Sequence, residues 1–276
     1  MASLIKKIRT SSGDLQIDYN ALANLPALNT MFSNPNLLIN SDFRNPVNQR
    51  GQTNYNVTTW EYTIDRWRGK NVNVVVNENS ITITNTSGED GNFQQPFEST
   101  LPSNSYIVSA KILSVTGSVY LYHRSGGTVL STGINTRTFD SSTGLGNMQL
   151  FLSSGSSIEI EWIKLEQGST ATPYTPRLHA EELMLCQRYL RRFRRIPIYA
   201  TASNNLTYML PLQFGIPLRA EPTTEVSEIL NSSAVVQDAV TCTAVLSGIY
   251  NAQTITLSKS IGQYGFVSIT FDAEIH

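Results

Sequence analysis

Cysteine and histidine are scarce in this chain, and neither is patterned. Of 276 residues only Cys186 and Cys242 are cysteine, and only His123, His179 and His276 are histidine. The two cysteines fall in different predicted modules, one on the apolar face of a predicted helix. They read as buried thiols, with no disulfide framework and no spacing suited to zinc. The scattered histidines accompany no nucleophile elbow, no metal-ligand pair and no glycine loop that would cradle a phosphate. The expectation is a protein that is not an enzyme and uses no cofactor. Charge is sparse as well: 15% of residues are charged and the formal net charge is -1. That balance supplies no global attraction to nucleic acid, although a local patch stays open. No run of about 18 apolar residues occurs and Met1 opens no signal-like segment, so neither membrane insertion nor export by a cleaved leader is expected.

What the chain does have is length for two ordinary domains, an apolar fraction of 40%, and short strands at regular spacing. From Asn36 to Glu166 the β-branched and aromatic runs Val72 to Val76, Ser80 to Thr84, Tyr106 to Val115, Ser118 to His123, Thr128 to Leu130, Thr136 to Phe139, Asn147 to Leu152 and Ile158 to Leu165 alternate with Gly, Asn and Ser clusters. This pattern predicts a mainly β protein with a jelly-roll β-sandwich over 36–167, in which Gly126-Gly127 marks a tight hairpin. In the last strand Ile158, Ile160 and Trp162 alternate with Glu159, Glu161 and Ile163, placing Trp162 in the inward register.

Gly168 to Pro176, with two prolines among Ser and Thr, cannot continue a ladder and reads as an ordered crossing. Leu183, Cys186, Leu190 and Phe193 then follow at helical spacing, widened by Leu185 and Tyr189, so 168–196 is read as linker and helix. A second, small sandwich-like β module over 197–276 is expected from Ile198 to Ala200, Leu206 to Leu212, Val226 to Ile229, Val240 to Leu246, Thr254 to Leu257 and Gly265 to Phe271. The first 35 residues carry too little apolar material for a core of their own, and read as an attachment or trimerising segment ordered by partners.

Candidate sites follow from strand parity and helix geometry. If Val119 and Leu121 face the core, Tyr120, Tyr122 and Arg124 share the opposite face, where phenol rings could stack on sugar rings and Arg could meet hydroxyls. Trp60 and Tyr62 could extend the same groove; the other reading of these aromatics is a subunit interface. Trp67 is expected in the core and Asp65 and Arg66 as a local ion pair. On a helical wheel Arg188, Arg191 and Arg195 fall opposite the apolar stripe; they either complement the helix dipole or recognise an anionic polymer, with nucleic acid disfavoured because no stacking aromatics accompany them. Asp42, Glu159 and Glu161 are the oxygen ligands a structural calcium would need, but isolated carboxylates on a strand are ordinarily solvated, and no metal is expected. Glu61 with Asp65, or Glu89 with Asp90, are the pairs that could be nominated for glycoside hydrolysis; catalysis is not expected.

NLLINSDFRNPVNQRG and YTIDRWRG (36–51 and 62–69), IEWIKLEQGSTATPYTPR followed by EELMLCQRYLRRF, and the terminal FDAEI resemble the module edges of tail-fibre and receptor-binding proteins of bacteriophages and prophages. The resemblance implies a homotrimer at a fibre tip, made in the bacterial cytoplasm and carried on the virion, joined to other tail or baseplate proteins through its N-terminal segment. Its jelly roll is of the carbohydrate-binding kind, and the partner implied is a bacterial surface polysaccharide or a teichoic-acid-like polymer. The competing expectation is a structural fibre or baseplate spacer that contacts only viral proteins.

Overall fold

In the structure, a computed structural model, residues 7–10, 13–16, 33–121, 129–198, 206–231, 242–246, 251–257 and 265–275 are described. The protein is mainly β. A hairpin of β1 (Lys7–Thr10) and β2 (Gly13–Gln16) comes first. The sandwich then pairs a six-stranded sheet with a five-stranded one, both antiparallel. The larger runs β11 (Gly133–Ser141), β9 (Asn104–Thr116), β13 (Ser157–Gln167), β7 (Ile81–Thr84), β6 (Val72–Val76), β3 (Asn54–Val57). The smaller runs β10 (Val119–Leu121), β12 (Leu145–Leu152), β8 (Gly91–Leu101), β5 (Arg68–Lys70), β4 (Glu61–Tyr62). Inward residues of both sheets, such as Val108, Ile112 and Ile83 against Leu121, Leu150 and Phe93, make one core.

Two strand expectations need revision. Val129 and Leu130 belong to no strand, and Gly126-Gly127 lies outside the described residues. The long β8 carries Gly91, Pro96 and two glutamines and no β-branched run, so composition hides it. It is a strand because the sheet supplies partners on both sides, and Gln95 holds the backbone of Ile39 through both its amide atoms, at 2.8 and 2.6 Å.

A bulge corrects the reading of Trp162. The register of β13 against β9 slips between Glu159 and Ile160 and again between Ile160 and Trp162. An extra residue reverses side-chain parity, so Ile163 and Leu165 continue the core begun by Ile158 and Ile160. Trp162 is buried on the other face, stacked on Tyr174 at 4.4 Å between ring centres. The proline-containing crossing is thereby pinned. Lys164 Nζ and the Glu166 carboxylate, 3.2 Å apart and both buried, share Thr172, whose hydroxyl lies 2.6 Å from each.

The largest correction concerns the helix. α1 spans His179–Cys186 only, and Leu190–Ile198 is a strand, β14, paired with β19 (Gly265–Asp272). Leu190, Phe193 and Ile196 recur at helical spacing, and no two-residue alternation announces a strand. Tertiary pairing with the terminal strand overrides the helical spacing. β14 is an edge strand, where Pro197 is tolerated. It forms a three-stranded sheet with β19 and β16 (Thr223–Asn231), while β15 (Leu206–Gln213), β18 (Asn251–Leu257) and β17 (Cys242–Leu246) form another. Among the described residues no helix is long and apolar enough to cross a membrane.

Candidate functional site

The loops at one end of the sandwich meet the C-terminal strands in a buried polar joint. Asn40 is its hub, in a left-handed conformation (φ 55). Its side chain donates to the carbonyls of Val47 and Asp65, both at 2.8 Å, and accepts from the Val47 amide at 2.7 Å. Its own amide reaches Glu182 Oε2 of α1, and its carbonyl accepts the Trp67 indole. Beside it Arg66, fully buried, pairs with Glu274, donates to the Pro96 carbonyl at 2.6 Å, and lies 3.6 Å over the Tyr189 ring. Asp65 and Arg66 are therefore not a local pair, as their adjacency suggested. Backbone direction sends them to different partners: Asp65 accepts from the Gln49 amide at 2.9 Å and its side chain at 2.7 Å, with Arg50 at 3.7 Å.

Burial pushes the Asp65 carboxyl up to about 6, against the opposing pull of Arg50 and the Gln49 hydrogen bonds. In the unfolded chain it would ionise near its ordinary value of 3.8. As pH rises from about 4 to about 6 the unfolded state loses this proton first, so Asp65 withdraws stability over that window, on the order of 2–3 kcal/mol in all. The difference in unfolding free energy between the wild type and Asp65→Asn is expected to fall by that amount from pH 4 to pH 7. A constant difference would show that Asp65 titrates normally.

At the mouth of the joint is a cleft of about 360 Å³. Gln52, Asn56, Glu61 and the rings of Tyr55 and Tyr62 wall it from the sandwich, and Arg192, Glu225 and Asp272 from the C-terminal sheet. Tyr62 is half-buried: its hydroxyl donates to the Ile275 carbonyl at 2.6 Å, Arg50 lies 5.2 Å from its ring centre, and burial pushes its pKa up to about 12. Trp60, next to Glu61, keeps 42% of its surface exposed, with Arg68 5.1 Å over the ring. The cleft thus combines the half-buried Tyr62 ring with planar polar groups of both charges, while Trp60 does not line it.

The other expected site residues are placed as follows. Tyr120 is half-buried on the outward face of β10, edge-to-face with Phe151 at 6.3 Å, and Val119 and Leu121 face the core. Tyr122 and Arg124 lie outside the described residues. Tyr120 does not share a groove with Trp60 and Tyr62, because β10 and β4 are opposite edges of their sheet. Four inter-strand spacings, roughly 19 Å, separate them.

The arginines are also redistributed, because the helix that would have aligned them ends at Cys186. Arg188 is neutralised by Glu98 at 2.6 Å, and that hydrogen bond, ahead of all else, lowers the Glu98 pKa. Arg191 lies in β14, where burial lowers its pKa. Arg195 lines a separate pocket with Arg192 and Arg194 of the same arginine run and with Arg50, which the sequence pattern did not bring to them.

For a metal, Asp42 is held by Arg44 at 2.7 Å, with Glu161 3.7 Å from the same guanidinium, while Glu159 accepts from Ser80. Among the described residues no three His, Cys, Asp or Glu side chains converge as metal ligands. Of the acids nominated for hydrolysis, Asp65 is fully buried and out of a substrate's reach, and Glu61 accepts from Thr59 at 3.0 Å. Glu89 and Asp90 are exposed.

Neither a protein-family model nor a curated protein matches this chain. Among solved structures, a mutant of the family 29 carbohydrate-binding module CBM29-2 covers 46% of this chain and 100% of its own, at 11% identity and a TM-score of 0.29. TmCBM61 in complex with beta-1,4-galactotriose covers 49% of this chain and 100% of its own, at 15% identity and a TM-score of 0.27. Discoidin II of Dictyostelium discoideum covers 70% and 82%, at 6% identity and a TM-score of 0.26. Superpositions this loose transfer neither a residue role nor a ligand.

Proposed function

We propose that this chain is a non-enzymatic receptor-binding protein of a phage or prophage tail fibre, and that it holds a bacterial surface glycan in the cleft lined by Glu61 and Tyr62. The observation that carries the reading is the lining of that cleft. The half-buried Tyr62 ring in its wall offers an apolar face to a sugar ring, and Gln52, Asn56, Glu61, Arg192 and Glu225 offer planar donors and acceptors for hydroxyls. The resemblance of the module edges supplies the setting: attachment through residues 1–35, a homotrimer, and a place on the virion. Ile134 and Leu113 stand exposed on the six-stranded sheet, apolar surface that a second copy would cover.

The test is co-sedimentation of the purified protein with intact bacteria and isolated walls from a panel of strains, with competing sugars, alongside its mass in solution. Strain-selective binding, suppressed by a sugar and weakened about tenfold or more by Tyr62→Ala, is the expected result. Loss on Tyr120→Ala but not Tyr62→Ala would move the site to the opposite edge of the sheet. No binding to any strain, a known host included, would favour the structural spacer.

A further inference from the structure

The bulge in β14 takes no part in the joint. Between Phe193 and Ile196 the register against β19 slips, and Arg195 stands at φ 52, a left-handed conformation that costs a branched or long side chain energy. Its amide is held by Ser268 Oγ at 3.1 Å. In a regular strand Arg194 and Arg195 would face opposite sides. Here both line one pocket of about 430 Å³, with Arg50, Gly51, Arg192 and Ser268. Gly51 keeps the pocket open: at φ +75, a Cβ there would lie 2.7 Å from Arg194 Nη2 and 3.8 Å from Arg192 Nη1. Two guanidiniums thus converge on the same open space.

The charge around this space is not balanced from within. Arg50 is offset by Asp272 at 3.2 Å and Asp65 at 3.7 Å. Arg192 donates Nη1 to the carbonyls of Gln49 and Arg50, which are neutral. Among the described residues no carboxylate forms an ion pair with Arg192, Arg194 or Arg195, and the buried Arg192 Nε and Arg50 Nη1 make no hydrogen bond. Three uncompensated cations gathered in a concavity repel one another until an anion enters.

We propose that this pocket binds a tetrahedral oxyanion, phosphate or sulfate, borne by the polymer that lies in the adjoining cleft. The cleft and the pocket share Arg50 and Arg192, so one strand can place a sugar in the first and its charged substituent in the second; this continuity rests on the glycan reading, and the anion site does not. Guanidiniums arriving from three backbone positions need acceptors in three directions, which a tetrahedral anion presents and a planar carboxylate does not. Nucleic acid fits less well, because among the described residues no aromatic ring lines the pocket to take a base.

The test compares the full chain with the Arg194→Gln/Arg195→Asn double variant. Both side chains are exposed and Asn tolerates the left-handed position, so the unfolding midpoint is expected to stay unchanged. The probes are inorganic phosphate and sulfate, poly(glycerol phosphate), dextran sulfate, dextran and duplex DNA, each at low and high salt. Salt-sensitive binding of the phosphate or the sulfate polymer, weakened about tenfold or more in the variant while dextran is unaffected, is the expected result. Whichever polymer shows it names the substituent. Absence of binding to every anion overturns the proposal. So does equal retention of duplex DNA with the same arginine dependence, which would mark a generic basic patch. Binding of free phosphate or sulfate that depends on these arginines, with no retention of any wall, leaves the pocket standing and removes the glycan reading. Wall binding untouched by the double variant does the reverse.

Discussion

Glu274→Ala is expected to destabilise the protein by about 3–5 kcal/mol, because it strands a buried guanidinium. Glu274 and Arg66 are both withdrawn from solvent, and the carboxylate also accepts the Arg66 amide at 3.0 Å. Removing it leaves Arg66 with the Pro96 carbonyl and the Tyr189 ring, neither of which carries a full negative charge. The pair itself is a poor source of net stability, since desolvating two ions offsets most of their attraction. The Arg66→Met/Glu274→Leu double variant is therefore expected to be more stable than the sum of the two singles, by about 1–3 kcal/mol. Denaturant unfolding of the four proteins measures the cycle, and amide exchange in β14 and β19 should show protection lost first where the joint opens. A cost below about 1 kcal/mol for Glu274→Ala would mean that water reaches Arg66.

Trp67→Ala is expected to cost about 3–5 kcal/mol for a different reason, the loss of packed volume. The indole stacks on Phe93 at 4.9 Å with an interplanar angle of 5°, and meets the edge of Phe43 at 5.4 Å. These are the rings that fill the end of the sandwich beneath the joint, and they have no room to collapse inward. The indole N–H also satisfies the buried Asn40 carbonyl. Trp67→Phe separates the two effects: it keeps the stack and abandons the hydrogen bond, at an expected cost of about 1–3 kcal/mol. If Ala and Phe proved equally costly, the hydrogen bond and not the packing would dominate.

Asn40 and Arg50, Asp65 to Trp67, Glu182 to Tyr189, and Asp272 to Glu274 come from four separated stretches of the chain and meet in one joint. These residues hold the sandwich to its C-terminal sheets, so the joint's demands are internal, while those of the cleft and the arginine pocket beside it face outward.

Alternation by itself determined the mainly β character, the core positions of Val119 and Leu121, and most of the strands, because a half-buried strand must repeat every two residues wherever it lies. The Gly168 to Pro176 crossing was legible for a similar reason, since proline cannot serve a ladder. Three things were decided only by tertiary structure. LRRFRRIPI has its apolar residues at helical spacing, and pairing with a strand some seventy residues later makes it β14. The bulge in β13 moved Trp162 out of the core, and no local residue announces an inserted position. The cleft and the arginine pocket share Arg50 and Arg192, which come from distant stretches of the sequence; what makes them a site is the docking of one sheet end against another, a long-range contact that local periodicity cannot encode.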